Sequence, residues 1–144
     1  MNKKTLTVLG FILMLCVVTA CASKPPADAA LKITGLVGKE VGWTDGDLRG
    51  MDTIDVETTN KAGETVNNTG VKLSTLLDAA NVQSSAATIV FVGDDGYTAE
   101  VAWEEIKACA DCIVAFRDEG GFDMVLPGFP GNVQVKGVIE IQVK

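Results

Sequence analysis

The sequence predicts a strand-rich α+β domain with a mixed sheet and two or three short helices. Residues 31–34 and 138–144 alternate apolar with polar side chains, which is the period of half-buried strands. Apolar residues at positions 73, 76, 77 and 80 follow the spacing of one helix face. Glycine and polar residues separate these segments and provide the turns that a small mixed domain needs.

Shorter patterns predict the other strands. Residues 54–57 alternate in polarity, and residues 89–92 form a continuous apolar run that ends at the turn sequence 93–96. We expect the chain to return as a strand over 97–101. Two further short strands are predicted at 113–116 and 124–126.

Three segments are typical of short helices. Thr44 and Asp47 have the spacing of a capping box, so a helical turn is expected to start there and to end by Gly50. Ser74 is the predicted N-cap of the leucine-rich helix, and residues 103–108 form a third short helix. The polar stretch 60–70 that precedes the leucine-rich helix is predicted to be rich in turns.

The N-terminus resembles a bacterial lipoprotein signal. Lys3 and Lys4 precede the apolar run 6–18, and small residues lead to Cys21. We expect residues 1–20 to be a signal peptide, residues 21–30 a lipidated cysteine with a flexible tether, and residues 31–144 the domain. An uncleaved transmembrane anchor is the alternative, although the run is short against the roughly 20 apolar residues of a spanning helix.

Charge and the absence of histidine restrict the function. Without Lys3 and Lys4 the chain has 10 basic against 19 acidic residues, a net charge of −9, so we expect no nucleic-acid partner. With no histidine, a Ser-His-Asp triad and imidazole metal ligands are excluded. Only two cysteines follow Cys21, which is too few for a closed four-thiolate zinc site.

Cys109 and Cys112 form a C-x-x-C pair between a predicted helix and a predicted strand. Outside the cytoplasm such a pair is expected to form a disulfide that closes a small loop. An exchangeable redox pair is the alternative, and it would need a thiolate stabilised by a cation or a helix N-terminus. Lys107 is near in sequence, but Glu105 and Asp111 oppose its charge.

Three ordered segments, together with the first strand, resemble the oxidoreductase molybdopterin-binding domain of the sulfite oxidase family. The resemblance implies that family's fold for nearly all of the mature chain. The segments are Gly70-Val71-Lys72-Leu73-Ser74-Thr75-Leu76-Leu77-Asp78-Ala79-Ala80, Gly93-Asp94-Asp95-Gly96-Tyr97-Thr98-Ala99, and Val125-Leu126-Pro127-Gly128-Phe129-Pro130-Gly131 followed by Lys136.

The residues that hold molybdenum and pterin in that family are mostly replaced. A glutamate-cysteine pair supplies the family's metal thiolate, whereas Glu57 is followed here by Thr58. The family's arginine and lysine after the Pro-Gly turn correspond to Val133 and Lys136, so only the lysine remains, and Gly137 stands in place of the tryptophan that often follows. A hydroxyl does not replace a thiolate as a soft ligand, and we expect no cofactor.

The resemblance places a pocket, if the chain keeps one, near six residues: Thr58, Thr59, Tyr97, Phe129, Asn132 and Lys136. We therefore expect an extracytoplasmic, lipid-anchored binding or interaction module rather than an enzyme. Its partner would be a small molecule or a protein, besides the membrane that holds the anchor. The alternative is an oxidoreductase or electron-transfer subunit that retains molybdopterin.

Overall fold

Nine strands and three short helices, with one 3-10 turn, make up the part of the chain described by the computed structural model, residues 24–144. This confirms the predicted strand-rich α+β class. The elements are β1 (Leu31–Gly35), β2 (Val41–Trp43), α1 (Asp45–Arg49), β3 (Thr53–Thr59), β4 (Thr65–Lys72), α2 (Leu73–Ala80), β5 (Thr88–Gly93), β6 (Thr98–Ala102), α3 (Trp103–Lys107), β7 (Ile113–Phe116), β8 (Phe122–Val125), the 3-10 turn Gly131–Val133 and β9 (Val138–Val143).

The strands form two sheets. One has the order β2-β1-β9-β5-β6 and is mixed, because β1 runs parallel to β9 while the other pairs are antiparallel. The other has the order β3-β4-β7-β8 and is antiparallel throughout. The division into two sheets is a feature that the sequence patterns did not predict.

The alternating strands pack their apolar sides into the main core. Ile141 in β9 stands opposite Ile33 on one side and Phe91 on the other, and all three side chains are fully buried. Burying one such side chain contributes about 1.5–3 kcal/mol. Strand β9, the last strand of the chain, therefore lies in the middle of the five-stranded sheet, between β1 and β5.

The leucine-rich helix α2 buries the predicted face, with Leu73, Leu76, Leu77 and Ala80 all inaccessible or nearly so. The prediction that Ser74 caps it is wrong. The helix begins at Leu73, Lys72 occupies the N-cap position, and no side chain caps the helix. Strand β4 runs directly into the helix, and the Leu73 N–H donates to the Cys112 carbonyl at 2.8 Å.

Helix α1 confirms the predicted capping box. Thr44 donates from its backbone N–H to Asp47 Oδ2 at 2.9 Å, and the Asp47 N–H donates to Thr44 Oγ1 at 3.2 Å. The backbone donor lowers the pKa of the Asp47 carboxyl, the Thr44 hydroxyl lowers it further, and slight desolvation opposes both.

The prediction for 60–70 is correct only for its first part. The turn covers Asn60 to Glu64, and β4 starts at Thr65. Residues Thr65 to Asn67 and Thr69 are exposed, so polarity does not distinguish this strand from a loop. Pairing with β3 along seven residues makes the segment a strand.

The predicted signal peptide and Cys21 lie outside the described residues. Within residues 24–144 no helix has the length and apolar character that crossing a membrane requires.

Candidate functional site

A groove of about 790 Å³ lies between the end of the β3–β4 hairpin and the chain that follows β8. We call it the Thr58 groove. Both apolar and polar side chains line it, a mixture that is typical of sites for small molecules or for side chains of a partner. Its lining residues are Glu57, Thr58, Thr59, Asn60, Lys61, Val66, Asn68, Met124, Val125, Leu126, Pro127, Gly128, Phe129, Gly131, Gln134 and Lys136.

One wall of the groove is a closed β-hairpin. The alternating pattern predicted a strand that ends at Glu57, but the structure continues β3 through Thr59, and a tight turn follows. The side chain of Asn60 builds that turn, because its Oδ1 accepts from the N–H groups of Ala62 at 2.9 Å and Glu64 at 3.0 Å. The two threonines are therefore held by strand pairing.

Thr58 is also held by a side chain of the neighbouring strand. Asn68 donates from Nδ2 to Thr58 Oγ1 at 3.0 Å and to the Val56 carbonyl at 3.2 Å. One lone pair of the Thr58 hydroxyl oxygen is thus used within the protein, while the hydroxyl proton is available to a ligand. Asn68 was not among the predicted site residues.

The opposite wall is shaped by Gln134, which sequence reasoning also missed. Its Oε1 accepts from the Leu126 N–H at 2.8 Å, and its Nε2 donates to the Leu126 carbonyl at 2.7 Å. These two bonds close the loop that carries Phe129, which is partly buried in the groove lining. The flanking Val133 and Val135 are buried, and a lone amide between two apolar residues is the signal that could have identified Gln134.

Lys136 lies at the rim of the groove and is engaged in an ion pair. Its Nζ donates to Asp123 Oδ2 at 2.8 Å. The other carboxylate oxygen of Asp123 accepts from the Gly137 N–H at 3.0 Å and lies 3.6 Å from Arg117 Nε. Asp123 therefore lies between two cations, and the three side chains together carry a net charge of +1.

Four of the six predicted pocket residues, namely Thr58, Thr59, Phe129 and Lys136, line this groove. Tyr97 and Asn132 are not part of its lining. The Tyr97 hydroxyl donates to the Asn132 carbonyl at 2.7 Å, which links the turn before β6 to the 3-10 turn at another place.

The predicted disulfide between Cys109 and Cys112 is present, with an S–S distance of 2.02 Å. It closes the turn that leads from α3 into β7, and Cys112 is 1% exposed. Neither cysteine lines the Thr58 groove.

The donor set of the groove does not fit molybdenum held by a thiolate. It offers the carboxylate of Glu57, the hydroxyls of Thr58 and Thr59, amides and the thioether of the buried Met124, but no thiol. Within residues 24–144 no cluster of three or more histidine, cysteine, aspartate or glutamate side chains is arranged to hold a metal ion. Hard oxygen donors do not supply the electron density that a soft thiolate gives to a transition metal.

Comparisons with known proteins identify the domain. The chain is similar to a chain in the crystal structure of the sulfane dehydrogenase SoxCD from Paracoccus pantotrophus, with a TM-score of 0.66 and 22% identity. The match covers 78% of this chain and 37% of that one, so the chain spans less than half the length of this relative. No curated protein sequence gives a significant match. The family model of the oxidoreductase molybdopterin-binding domain matches residues 19–144, so the chain belongs to that family.

Proposed function

We propose that this chain is an extracytoplasmic lipoprotein whose molybdopterin-binding-type domain acts as a binding module without molybdenum chemistry. The observation that carries the proposal is the Thr58 groove, in which strand-held threonines stand where the family resemblance calls for a thiolate. The groove has a size within the roughly 300–1,000 Å³ of small-molecule sites, so it retains room for a guest.

The anchoring part of the proposal is supported by the sequence before the domain. Lys3, Lys4, the apolar run 6–18 and Cys21 form the three-part pattern of a lipoprotein signal. Acyl chains on Cys21 would hold the domain at a membrane, since each buried methylene contributes about 0.8 kcal/mol.

Labelling with a fatty acid in the native host tests the anchor. The wild-type chain is expected to incorporate label and to sediment with membranes, and Cys21→Ser is expected to do neither. Cys16→Ser is the matched control, because it removes a nearby cysteine that lies in the apolar run 6–18 and not at the expected cleavage site. Equal labelling of wild type and Cys21→Ser would contradict the anchor.

The absence of molybdenum chemistry is supported by two features of the groove. No thiol lines it, and the one lysine kept from the family's pattern is paired with Asp123 at 2.8 Å. A pterin phosphate would have to compete with that carboxylate for Lys136. The acidic chain as a whole also opposes an anionic guest.

A retention experiment tests this part directly. The full chain, purified in a neutral detergent, is mixed with cofactor released from a molybdoenzyme and separated by gel filtration. The oxidised pterin, detected by its fluorescence, is expected to elute with the small molecules and not with the protein. A family member that keeps the thiolate serves as the positive control, and co-elution with this chain would contradict the proposal.

The second candidate is an oxidoreductase or electron-transfer subunit that retains molybdopterin. It is favoured by one observation, namely that the family match extends over residues 19–144 and includes the whole groove. Retention of pterin in the experiment above would support this candidate, and a Lys136→Met variant would then be expected to retain less of it.

A further inference from the structure

The four-stranded sheet has a long open edge at β3. Strand β3 lies at one edge of this sheet, whose strand order is β3-β4-β7-β8. It therefore pairs with β4 on one side only, along Thr53 to Thr59. Unpaired strand edges are templates for another strand, and proteins usually cover or shorten them. An open edge of seven residues is therefore a candidate interaction surface.

The direction of the backbone groups follows from the hairpin turn. The Asn60 N–H donates to the Glu64 carbonyl at 2.9 Å, so residue 60 faces β4. Backbone groups alternate along an antiparallel strand, and residues 54, 56 and 58 therefore face β4 as well. The backbone groups of 53, 55, 57 and 59 point outward, and no described residue pairs with them across that edge.

The other sheet edges are covered or shorter. At β8 the outward N–H of Met124 donates to the Val135 carbonyl at 2.8 Å, and Gln134 bonds both backbone groups of Leu126. Strand β2 has three residues and β6 has five. Among the described strands, β3 presents the longest edge that lacks a covering segment.

The charges on β3 select the partner. Asp55 and Glu57 are exposed and lie on one face of the strand. Two copies of β3 paired about Val56 would bring Asp55 of each copy opposite Glu57 of the other, and like charges directly opposite are destabilising. The edge therefore disfavours self-association and favours a cationic strand.

The other face of β3 adds a second requirement. Val56 is 7% exposed and belongs to a small apolar cluster with Ile113, Ala115 and Val125, and the partly buried Ile54 packs against it. A strand added beside β3 would place every second side chain next to Ile54 and Val56. Farther along the same face, Thr58 leads into the Thr58 groove.

We propose that an extended peptide segment with alternating basic and apolar residues adds to β3 as a fifth strand. Its basic side chains lie beside Asp55 and Glu57, and its apolar side chains lie beside Ile54 and Val56. Backbone hydrogen bonds supply affinity and the alternating side chains supply specificity. This inference rests on the proposed binding function and names the class of its partner.

Synthetic peptides test the inference on the full chain in a neutral detergent. The probe is a capped peptide of alternating lysine and valine with three lysines, and its binding is measured by fluorescence anisotropy. A peptide with glutamate in place of lysine is expected not to bind. A peptide with the same composition but with its lysines grouped together is expected to bind about tenfold more weakly, because it cannot match both faces.

Backbone methylation distinguishes strand addition from simple charge attraction. Methylating the backbone nitrogens of one alternate set of residues is expected to abolish binding, and methylating the other set is expected to preserve it, since only one set faces β3. Equal effects of the two sets would overturn the inference.

A charge exchange locates the surface. Glu57→Lys is expected to weaken binding of the lysine peptide about tenfold and to improve binding when glutamate replaces the facing lysine. Glu105→Lys in α3 makes the same charge change away from the edge and is expected to have a smaller effect. Equal losses in both variants would overturn the placement on β3. If no peptide binds and the protein retains no pterin, only this inference is rejected. If the protein retains pterin, the proposed function is rejected.

Discussion

Lys136 and Asp123 form an ion pair across the rim of the Thr58 groove, with Nζ 2.8 Å from Oδ2. The two ends of this pair are fixed to different degrees. The side chain of Lys136 is 74% exposed, whereas that of Asp123 is 16% exposed and also accepts from the Gly137 N–H. The Asp123 carboxylate is therefore held in place by the fold, and the exposed Lys136 side chain pairs with it.

This asymmetry predicts unequal effects of substitution at the two positions. Lys136→Met is expected to lower the free energy of unfolding by less than about 1 kcal/mol, because exposed ion pairs contribute little. Asp123→Asn is expected to lower it by about 1–3 kcal/mol, because the Gly137 N–H loses a charged acceptor. Urea unfolding followed by tryptophan fluorescence measures both. A larger decrease in the free energy of unfolding for Lys136→Met than for Asp123→Asn would contradict this asymmetry.

Gly70 is predicted to be the most sensitive glycine of the hairpin, for steric reasons. A Cβ atom there would collide with the Val114 carbonyl oxygen and lie 2.7 Å from the Ala115 Cα. Gly70→Ala must push β4 away from β7 and is expected to lower the free energy of unfolding by about 1–3 kcal/mol. Gly131→Ala is the control, since nothing lies within 4 Å of the place that its methyl group would take. Equal midpoints of urea unfolding for Gly70→Ala and Gly131→Ala would contradict the close approach of β4 and β7.

The disulfide is expected to act on stability alone. Replacing Cys109 and Cys112 together by alanine removes a bridge between residues three apart in sequence, which in the chain-entropy model lowers the free energy of unfolding by about 2 kcal/mol. Peptide binding at β3 is expected to stay unchanged in the double variant. A loss of binding or of a thiol-exchange activity, with the fold intact by circular dichroism, would favour the redox alternative.

The capping box of α1 predicts a pH effect of known sign. The folded-state pKa of Asp47 lies below its ordinary value because Thr44 donates to the carboxylate from its backbone N–H and from its hydroxyl. The stabilisation is present above the unfolded-state pKa and is lost as the pH falls through the lowered folded-state pKa. An NMR titration of the Asp47 carboxyl carbon measures the shift, and Thr44→Val is expected to reduce it. A pKa at or above the ordinary value would contradict the box.

Local patterns predicted most elements but not the contacts between distant parts of the chain. The buried face of α2 follows from its spacing of leucines, and the turn of α1 follows from Thr44 and Asp47. Strand β4 was missed because its first residues are exposed on both faces, so no alternation marks them. Its structure comes from pairing with β3, which is a non-local interaction.

In the candidate site, too, the sequence predicted some of the residues and not the contacts between distant parts of the chain. The resemblance singled out Thr58, Thr59, Phe129 and Lys136, and all four line the groove. Phe129 and Lys136 belong to the third segment of the resemblance, whereas Thr58 and Thr59 follow Glu57, where the family has its glutamate-cysteine pair. The resemblance gave no sign that Asp123 would pair with the lysine. Side chains that act through tertiary hydrogen bonds, such as Gln134 on Leu126, carry no periodic signal in the sequence.

Native mass spectrometry of the full chain, purified from membranes of its own host and combined with molybdenum analysis, tests the central claim most directly. Our account predicts the mass of the lipidated chain, lighter than its reduced form by the two hydrogens lost in one disulfide, with no stoichiometric molybdenum or pterin. A bound pterin with one molybdenum per chain would contradict the account and would make the chain a redox component.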